Sequence, residues 1–383
     1  MKNKIIRVST VASSLYILLR GQLKFMSDYY EVIAASTYSK MLESVGENEG
    51  VRIKGIELTR KITLRKDIKA LYEMYLFLRK EKPLIVHTHS PKAGTVGMIA
   101  AWLARVPIRL HTVAGLPLME TDGFKRKLLS MVEKMTYMFA TKVYPNSYGL
   151  KDFILEEKLC NPKKIHVIGV GSSNGIDTNY FNPKLFSDSD KTILKEKLFI
   201  KEKDFIFVFL GRVVRDKGIN ELIYAFKNLN RRNSKLLIVG PYENELSPLL
   251  PETKYEIDKN ENIIHVGYQE DVRPYLAISD VLVFPSYREG FPNAVIQAVA
   301  MGLPAIVTNI NGCNEIIKEK ENGIIIPTKD HEALKNAMHY LLENPEEVKR
   351  MGVQTRISIL NNFEQQKVWD AILSEYKKLE NSL

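Results

Sequence analysis

Short runs of β-branched, aromatic and other apolar residues alternate with segments of helical periodicity along the whole chain. Such alternation predicts parallel sheets that are covered by helices on both faces, and therefore an α/β fold. The predicted strands are Ile5–Ser9, Glu31–Ala35, Leu84–Thr88, Ile108–Thr112, Ile165–Ile168, Phe205–Leu210, Leu236–Val239, Ile263–Val266, Val281–Phe284 and Ala305–Val307. The predicted helices include one from about Leu15 and the segments Lys66–Lys80, Lys92–Arg105, Gly218–Leu229 and Asn293–Met301.

The length and one irregular segment divide this pattern into two domains. A chain of 383 residues is too long for one ordinary domain. Residues 169–183 are rich in Gly, Ser, Asn and Pro, which is typical of a linker. We therefore predict two doubly wound, Rossmann-like domains at residues 1–170 and 171–364, and a C-terminal helix at residues 365–383 that packs back toward the first domain. A single eightfold barrel also fits the length, but the linker argues against it.

The net charge of +10 comes entirely from the first part of the chain. Residues 1–170 contain 28 Lys and Arg against 15 Asp and Glu, a net charge of +13, whereas the remainder carries −3. A basic domain predicts an anionic partner. Nucleic acid is disfavoured as that partner, because the sequence has no zinc-finger spacing, no helix-turn-helix signal and no RNA-recognition motif. Cys160 and Cys313 form neither a disulfide framework nor a zinc motif, which fits a reducing compartment.

The apolar start of the chain imitates a secretory signal. However, Arg7 interrupts it, Arg20 ends it, and no cleavage site of small residues follows. A short buried strand followed by a helix is the better interpretation. No window approaches 18 uninterrupted apolar residues. We therefore expect a protein that is soluble or at most peripheral on a membrane.

Two common nucleotide-binding motifs are absent from the sequence. Gly169, Gly171 and Gly175 imitate a dinucleotide fingerprint, but the last spacing is one residue too long and no helix is expected to follow. No G-x-x-x-x-G-K-[ST] sequence occurs. A nicotinamide site is therefore disfavoured, and the sequence contains no P-loop.

Two cations follow the first predicted strand of the second domain. Residues 209–218 read FLGRVVRDKG, which places Arg212 and Lys217 between a strand and a helix that begins near Gly218. Cations beside a helix N-terminus can bind a diphosphate. On the local sequence alone, two solvated loop charges are the better interpretation.

A carboxylate and a glycine follow another buried strand of the second domain. The strand at residues 281–284 leads into a polar loop with Glu289 and Gly290, and a helix begins near Asn293. The ends of strands in open α/β sheets are usual ligand sites. Free N–H groups at the helix start can bind phosphate oxygens, although Pro292 supplies none. Glu289 is also explained as a charge that stabilises the helix dipole.

Together these stretches resemble the nucleotide-sugar domain of retaining GT-B glycosyltransferases, specifically glycosyltransferase family 4. The matching sequences are GRVVRDKG, HVGYQEDVRPYLAISDVLVFPSYREGFPN, AVAMGLPAIVT and the strand NGIIIP at Asn322–Pro327. In the first domain, VHTHSPKAG and RLHTVAGLP resemble family members that build bacterial surface polysaccharides, and NGID resembles the interdomain segment. The resemblance implies two Rossmann-like domains that face each other across a cleft.

The resemblance also implies a role for each matching position. Arg212 and Lys217 would neutralise the donor diphosphate, and Glu289 would hold hydroxyls of the donor sugar. His111 would face the reacting sugar and join Glu289 as a catalytic residue, although a satisfied core histidine is the alternative. The other donor contacts would come from the backbone N–H groups of Gly290, Phe291 and Asn293, from Tyr268 against the base, and from Gln297.

Two positions depart from the family pattern. The family pairs the first Glu with a second one eight residues later that grips the ribose hydroxyls, and this chain has Gln297 there. A neutral amide accepts hydrogen bonds less strongly than a carboxylate, so ribose binding would be weaker or rearranged. The glycine-rich loop of many relatives is replaced by Ser13 and Ser14. Their hydroxyls would contact the diphosphate or the acceptor.

A retaining transfer without metal or cofactor is what the resemblance implies. The Asp-x-Asp pattern typical of metal–diphosphate sites occurs at Asp188 and Asp190, in a polar stretch that we expect to be a loop or a helix cap. Cations and helix N-termini would replace the metal. The donor would be a nucleotide sugar, with a UDP-sugar favoured, and the transferred group a hexosyl or N-acetylhexosaminyl unit.

The first domain offers two basic segments as membrane contacts. Arg60–Lys82 has eight basic and three acidic residues. Phe124–Lys142 places on one helical face the residues Leu128, Met131, Val132, Met135 and Met138. Basic amphipathic helices can lie on an anionic membrane, but packing on the protein's own sheet explains each segment equally well. The expected place is the cytoplasmic face of the inner membrane, and the expected acceptor a polyprenyl-diphosphate-linked or oligosaccharide precursor of capsule or O-antigen.

Two other functions fit the same fold. An enzyme with a soluble sugar or phosphate as acceptor would keep the donor site and would not need a membrane. A degenerate transferase that acts as a scaffold would fit the substitution at Gln297. Nucleotide binding distinguishes the scaffold from both enzymes.

Overall fold

The computed structural model describes residues 2–59, 63–229, 233–243 and 247–383. The chain forms two compact units. Unit 1 comprises residues 1–175 and 365–383, and unit 2 comprises residues 176–364. Each unit has its own six-stranded sheet and its own buried apolar side chains.

Unit 1 is a doubly wound α/β structure. Its strands are β1 (Lys4–Ser9), β2 (Glu31–Ser36), β3 (Arg52–Gly55), β4 (Ile85–His89), β5 (Ile108–Val113) and β6 (Lys142–Pro145). Its helices up to residue 175 are α1 (Ala12–Leu18), α2 (Gln22–Ser27), α3 (Lys40–Glu49), α4 (Leu64–Glu81), α5 (Pro91–Leu103), α6 (Gly123–Phe139) and α7 (Tyr148–Glu156). All strand pairs are parallel, in the order β3-β2-β1-β4-β5-β6. The order reverses between β1 and β4.

The side chains of the central strand β1 alternate between two cores. Ile6 and Val8 pack with residues of α4, α5 and α6, and Ile5 packs on the other face with residues of α1, α2 and α3. A strand covered on both faces carries apolar residues on both, which explains why Ile5, Ile6 and Val8 do not alternate with polar residues. Arg7 is the exception, because it is fully buried on the same face as Ile5.

Unit 2 repeats this architecture. Its strands are β7 (Phe205–Leu210), β8 (Ser234–Val239), β9 (Ile263–Gly267), β10 (Val281–Phe284), β11 (Ala305–Thr308) and β12 (Gly323–Ile326). Its helices are α8 (Asp188–Lys197), α9 (Ile219–Lys227), α10 (Pro251–Lys259), α11 (Arg273–Ala277), α12 (Asn293–Ala300), α13 (Cys313–Ile316), α14 (His331–Glu343) and α15 (Pro345–Asn362). The parallel strands lie in the order β12-β11-β10-β7-β8-β9. Their order reverses between β10 and β7.

The last helix, α16 (Gln365–Glu380), belongs to unit 1. It buries Val368, Ile372 and Tyr376 among the residues that cover the Ile5 face of the sheet. The Tyr376 hydroxyl also hydrogen-bonds Nδ1 of the buried His87 on β4. The chain therefore leaves unit 1 at residue 175, forms unit 2, and returns to complete the core of unit 1.

The predicted α/β class with two doubly wound sheets is confirmed, and several details differ. Ile165–Ile168 is not a strand, because only Ile165 forms an isolated bridge, to Val143. The helix expected from about Leu15 begins at Ala12. The short strands β3 and β6 were not predicted, since each has four residues and begins with a cation. Within the described ranges, no helix is both long and apolar enough to cross a membrane.

Candidate active site

Two loops of unit 2 meet where its strand order reverses. β7 and β10 are hydrogen-bonded neighbours, and Lys217 follows the first whereas Glu289 follows the second. The carboxyl ends of parallel strands lie at one edge of the sheet, and the point of reversal is the usual ligand site of such folds. The topology therefore brings together two residues that are 72 positions apart in the sequence.

The close approach of the two loops depends on Gly218. Its φ is +71°, and a Cβ atom added there would lie 2.1 Å from the carbonyl oxygen of Pro285. Such a contact with backbone atoms cannot be relieved by a side-chain rotation. The glycine therefore allows the loop after β7 to pack directly on the loop after β10, which places Lys217 beside Glu289.

Gly218→Ala is expected to destabilise the protein by more than the ~1–2 kcal/mol that left-handed strain alone costs a non-glycine residue. The additional loss comes from the clash with Pro285. Urea unfolding of the variant measures it. Gly50→Ala is the matched control, because Gly50 has a φ of +64° and an added Cβ meets no atom within 4 Å. Equal losses in the two variants would contradict the close approach.

Lys217 and Glu289 form an ion pair between the two loops. Their side chains are only 15% and 14% exposed. The Ser286 hydroxyl lies 2.7 Å from the same carboxylate oxygen, Oε1, that receives the ammonium group. No hydrogen bond from a described residue reaches the other oxygen, Oε2. The Glu289 carboxylate is thus held through Oε1, and its Oε2 is available to accept a hydrogen bond from a ligand.

The loop with Glu289 is fixed from the next strand of the sheet. The Asn311 side chain donates a hydrogen bond to the carbonyl oxygen of Glu289, and the Thr308 hydroxyl donates one to the carbonyl oxygen of Ser286. Thr308 is the last residue of β11 and Asn311 follows that strand, which pairs with β10. Sequence analysis did not identify Ser286, Thr308 or Asn311. They could be found from their positions at or just after the ends of β10 and β11, since the carboxyl ends of parallel strands lie at one edge of the sheet.

Several backbone donors near this loop have no partner. Within the described part of the chain, the N–H groups of Gly290, Phe291 and Asn293 donate no hydrogen bond. The residue before α12 is Pro292, and no side chain caps the helix. Gln297 lies one turn after Asn293, so that both side chains are on the same side of α12. These groups are available to an anionic ligand with hydroxyls.

Arg212 is paired with a residue that sequence analysis missed. Its Nη1 lies 2.7 Å from Oε2 of Glu243, which follows β8, and the two side chains are 40% and 36% exposed. Sequence analysis paired Arg212 in function with Lys217, but in this structure each cation has its own carboxylate. The two charges are therefore balanced without a ligand.

Aromatic side chains follow β8 and β9 of the same sheet. Tyr242 contacts the ring of His265 edge-on at 4.6 Å between centroids, and its buried hydroxyl has no partner among the described residues. Tyr268 follows β9 and is 69% exposed. Both are suited to contact a planar ring. Only Tyr268 was singled out by the sequence.

His111 lies in the core of unit 1. It is 1% exposed, and its Nδ1 is 2.8 Å from the Thr88 hydroxyl. The ring fills the space beside Gly94 of α5, where an added Cβ would lie 2.4 Å from it. Burial lowers the pKa of His111 to about 4, so the ring is neutral at pH 7. This placement fits the alternative of a core histidine, and a role of His111 beside a reacting sugar stays a prediction.

The remaining predicted positions are placed as follows. Ser13 and Ser14 lie in the first turn of α1 and are half-buried. Asp188 and Asp190 begin α8, where Asp190 forms a capping box with Ser187, as expected for helix-cap residues. Among the described residues, no group of three or more His, Cys, Asp or Glu side chains is arranged to hold a metal ion.

Comparison with known proteins establishes the family. The model of "Glycosyl transferases group 1" matches residues 190–357, and that of a "Glycosyl transferase 4-like domain" matches residues 31–171. The capsular polysaccharide biosynthesis glycosyltransferase CapM of Staphylococcus aureus is 35% identical over 382 residues, which cover 98% of this chain and 97% of CapM. The chain belongs to this glycosyltransferase family. The family predicted from the loop sequences is therefore confirmed.

Two further proteins resemble this glycosyltransferase over most of its length. The UDP-Gal:alpha-D-GlcNAc-diphosphoundecaprenol alpha-1,3-galactosyltransferase of Escherichia coli is 35% identical over 332 residues, 83% of this chain and 81% of that enzyme. The crystal structure of Anabaena HepE in complex with UDP superposes with a TM-score of 0.82 at 17% identity and covers 99% of this chain and 100% of HepE. At that identity the likeness establishes the GT-B fold of the glycosyltransferase.

Proposed function

We propose that this glycosyltransferase moves a sugar from a UDP-sugar to a polyprenyl-diphosphate-linked acceptor in the synthesis of a bacterial surface polysaccharide, with retention of the anomeric configuration. The observation that carries the proposal is the Lys217–Glu289 pair at the point where the strand order of unit 2 reverses. A cation for a diphosphate and a carboxylate for sugar hydroxyls stand side by side there. Both lie in loops whose sequences match the family.

The proposed donor site consists of the Lys217–Glu289 pair and the hydrogen-bonding groups around it. The Lys217 ammonium group neutralises the diphosphate, and Oε2 of Glu289 accepts from hydroxyls of the sugar. The free N–H groups at the start of α12 donate to phosphate oxygens. Arg212 is held by Glu243 at 2.7 Å and is the second cation available to the diphosphate.

Catalysis then rests on charge stabilisation. When the bond between the anomeric carbon and the diphosphate breaks, negative charge grows on the leaving group. Lys217, Arg212 and the free N–H groups are fixed by the fold before the reaction, so they stabilise that charge without reorganising. In this proposal they take the place of a metal ion. Transfer that persists in EDTA and stops after Lys217 is removed would support that assignment.

The proposed donor and acceptor rest on the relatives. The E. coli relative is named for UDP-Gal as donor and a diphosphoundecaprenol-linked GlcNAc as acceptor. A Campylobacter jejuni relative that is 28% identical is named for an undecaprenol-diphosphate acceptor as well. Both names place an anionic lipid carrier on the acceptor side, which fits a net charge of +13 over residues 1–170.

The exposed side chains of unit 1 add a membrane-docking surface to this proposal. On α4 they include Leu64 (76% exposed), Ile68 (66%) and Tyr72 (63%) at a spacing of four. On α6 they include Phe124 (83%) and Met131 (62%) at a spacing of seven. Each set lies on one helical face. Both helices pack beside α5 over the same core, so that the two stripes lie on one side of the unit.

Basic residues border both stripes. Exposed cations on the two helices include Arg65, Lys69, Lys125, Lys127 and Lys134. Exposed apolar residues with cations around them match the interface of an anionic membrane, where the apolar groups insert and the cations contact lipid phosphates. Of the basic segment Arg60–Lys82, residues 60–62 lie outside the described residues. The surface defined by α4 and α6 is the proposed docking surface.

The experiment that tests the function is transfer with defined substrates. The purified protein is incubated with UDP-glucose, UDP-galactose and their N-acetylated forms and with polyprenyl-diphosphate-linked GlcNAc. Mass spectrometry of the lipid product identifies the sugar, and NMR gives the configuration of the new bond. An α-linked product from an α-linked donor supports retention. Transfer to a soluble sugar alone, or no binding of UDP at all, would favour one of the two other functions.

Gln297→Glu is expected to lower the Kd for UDP about five- to tenfold. A carboxylate accepts hydrogen bonds from both ribose hydroxyls, and charge-assisted bonds are roughly twice as strong as neutral ones. Calorimetric titration measures the change. The deoxy analogue that lacks the 2′-hydroxyl is the control ligand and should gain less. An unchanged affinity for UDP would separate position 297 from the ribose.

A further inference from the structure

One face of the unit 1 sheet becomes polar toward the carboxyl ends of its strands. On this face the strands begin with Ile5, Ile85 and Ile108, which pack in the core covered by α16. Farther along the same strands the buried polar residues of this face are Arg7, Ser9, His87, His89 and Thr112. β1 and β4, which carry four of these residues, are the two strands between which the strand order reverses.

Arg7 is a buried cation with neutral partners. Its side chain is fully buried, its Nε donates to Nε2 of His89 at 3.1 Å, and its Nη2 donates to Oε1 of Gln22 at 2.5 Å. Because His89 accepts at Nε2, its ring is neutral. Burial lowers the pKa of His89, which keeps the ring neutral. The third nitrogen of the guanidinium, Nη1, has no partner among the described residues.

The charge of Arg7 has no counterion in the described part of unit 1. None of the ion pairs there includes Arg7, and no carboxylate contributes to the pKa of its guanidinium, which burial lowers. An arginine keeps its proton even when it is buried. An uncompensated charge inside a protein is strongly unfavourable, so buried charges are paired.

A small cavity lies beside Arg7. Its volume is about 20 Å³, and its lining includes Arg7, His89, Asn146, Val368 and Ile372. The Asn146 Oδ1 atom is buried and has no partner among the described residues. A half-turn of this amide would present its Nδ2 as a donor instead. Unpartnered polar groups around a cavity of this size indicate that it holds one small species.

We propose that this cavity binds one small monovalent anion of the size of chloride, held by Nη1 of Arg7. A water molecule would satisfy the hydrogen-bonding group but would leave the charge unbalanced, whereas an anion does both. A monatomic anion suits a cavity of about 20 Å³. His87 is not a ligand, because both of its ring nitrogens are engaged, by Tyr376 and Thr112. All of the residues that line the site belong to unit 1.

The proposal predicts that chloride stabilises the folded protein. Thermal unfolding is followed in potassium chloride and in potassium gluconate at equal ionic strength. At a chloride concentration ten times the dissociation constant, the Tm is expected to rise by about 3–6 °C and then to saturate. Crystals soaked in sodium bromide should show an anomalous peak in the cavity beside Arg7.

Arg7→Met is the variant that tests whether the chloride effect comes from this site. It removes the charge and should abolish the chloride dependence, with a Tm in gluconate equal to or above that of the wild type, since replacing a buried charge by an apolar group is often neutral or stabilising. Lys4→Met is the matched control on the same strand, because Lys4 already pairs with Glu81 at 2.6 Å. It should keep the chloride dependence.

Two results would overturn the proposal. One is a wild-type protein whose Tm is the same in chloride and gluconate and whose cavity shows water but no bromide. The other is a saturable chloride effect that survives in Arg7→Met. If Arg7→Met does not fold, the wild-type titration and the bromide soak decide the question alone.

Discussion

Replacing Lys217 by alanine is expected to lower kcat/KM for sugar transfer by about 10²–10³-fold. The lost group is the cation that lies against Glu289 in the proposed donor site. Removing one preorganised group that stabilises the charge of a transition state typically has an effect of this size. The loss should fall mainly on kcat, because the charge on the diphosphate is largest when the glycosidic bond breaks. Steady-state kinetics with the donor identified in the substrate screen measures it.

Two further variants separate catalysis from folding. Lys227→Ala breaks the ion pair with Glu256 in the same unit and should leave transfer unchanged. Lys217→Ala also leaves the carboxylate of Glu289 unpaired, which destabilises the protein by itself. The double variant Lys217→Ala, Glu289→Gln removes that charge. It should regain thermal stability but not activity, whereas a purely structural pair would regain both. Near-normal turnover of Lys217→Ala would remove Lys217 from the site.

Placing two carboxylates on the proposed docking surface is expected to reduce membrane binding by more than tenfold. In the variant Phe124→Glu, Met131→Glu, two of the most exposed apolar side chains of α6 become charged. The change removes apolar area that would insert between lipids, and it adds repulsion from anionic headgroups. Cosedimentation with vesicles of phosphatidylglycerol and phosphatidylethanolamine at low salt measures the bound fraction.

The control for this experiment lies in unit 2. Phe199 is 88% exposed, more than either substituted residue, so that Phe199→Glu introduces a carboxylate at an apolar position that is at least as exposed. It should bind vesicles like the wild type. Binding of the wild type should also weaken as salt is added, since exposed charges are screened. Equal losses in the two variants, or no binding by the wild type even at low salt, would contradict a docking surface on α4 and α6.

The fold could be predicted from the sequence because its strongest signals are local. β7 is a run of six apolar residues, and five of them are fully or nearly fully buried, as expected of a strand covered on both faces. β3 has the sequence RIKG at the edge of its sheet, and its residues are exposed or half-buried. Its only apolar side chain is Ile53. Such a strand forms because its neighbour offers free backbone groups, and this information is not in its own residues.

Only part of the candidate site could be predicted from the sequence. Lys217 and Glu289 were identified because each lies in a loop whose residue pattern is typical of the family. Glu243 could not be identified as the partner of Arg212, because it is 31 residues away and its loop has no distinctive pattern. The hydrogen bond from Asn311 to Glu289 spans 22 residues and requires the pairing of β10 with β11. Contacts between residues of different strands depend on the order of the strands in the sheet, and a short sequence motif carries no information about that order.

The direction of the His111 side chain is a second feature that the sequence does not contain. The pattern correctly indicated a strand, and β5 spans Ile108–Val113. The side chains of β5 alternate between two covered faces, and an apolar run does not indicate which face each residue takes. Leu110 packs in the core under α16, and His111 therefore points to the opposite face, under α5. The position along the strand could be predicted, but the direction of the side chain could not.

The return of the chain into unit 1 has a consequence for synthesis on the ribosome. Residues 176–364 contain every strand of the second sheet, so this part has all of its core before α16 is translated. The first unit has to wait, because Val368, Ile372 and Tyr376 complete one of its two cores. Unit 2 is thus able to complete its core first, whereas unit 1 gains its last core residues only when α16 has left the ribosome.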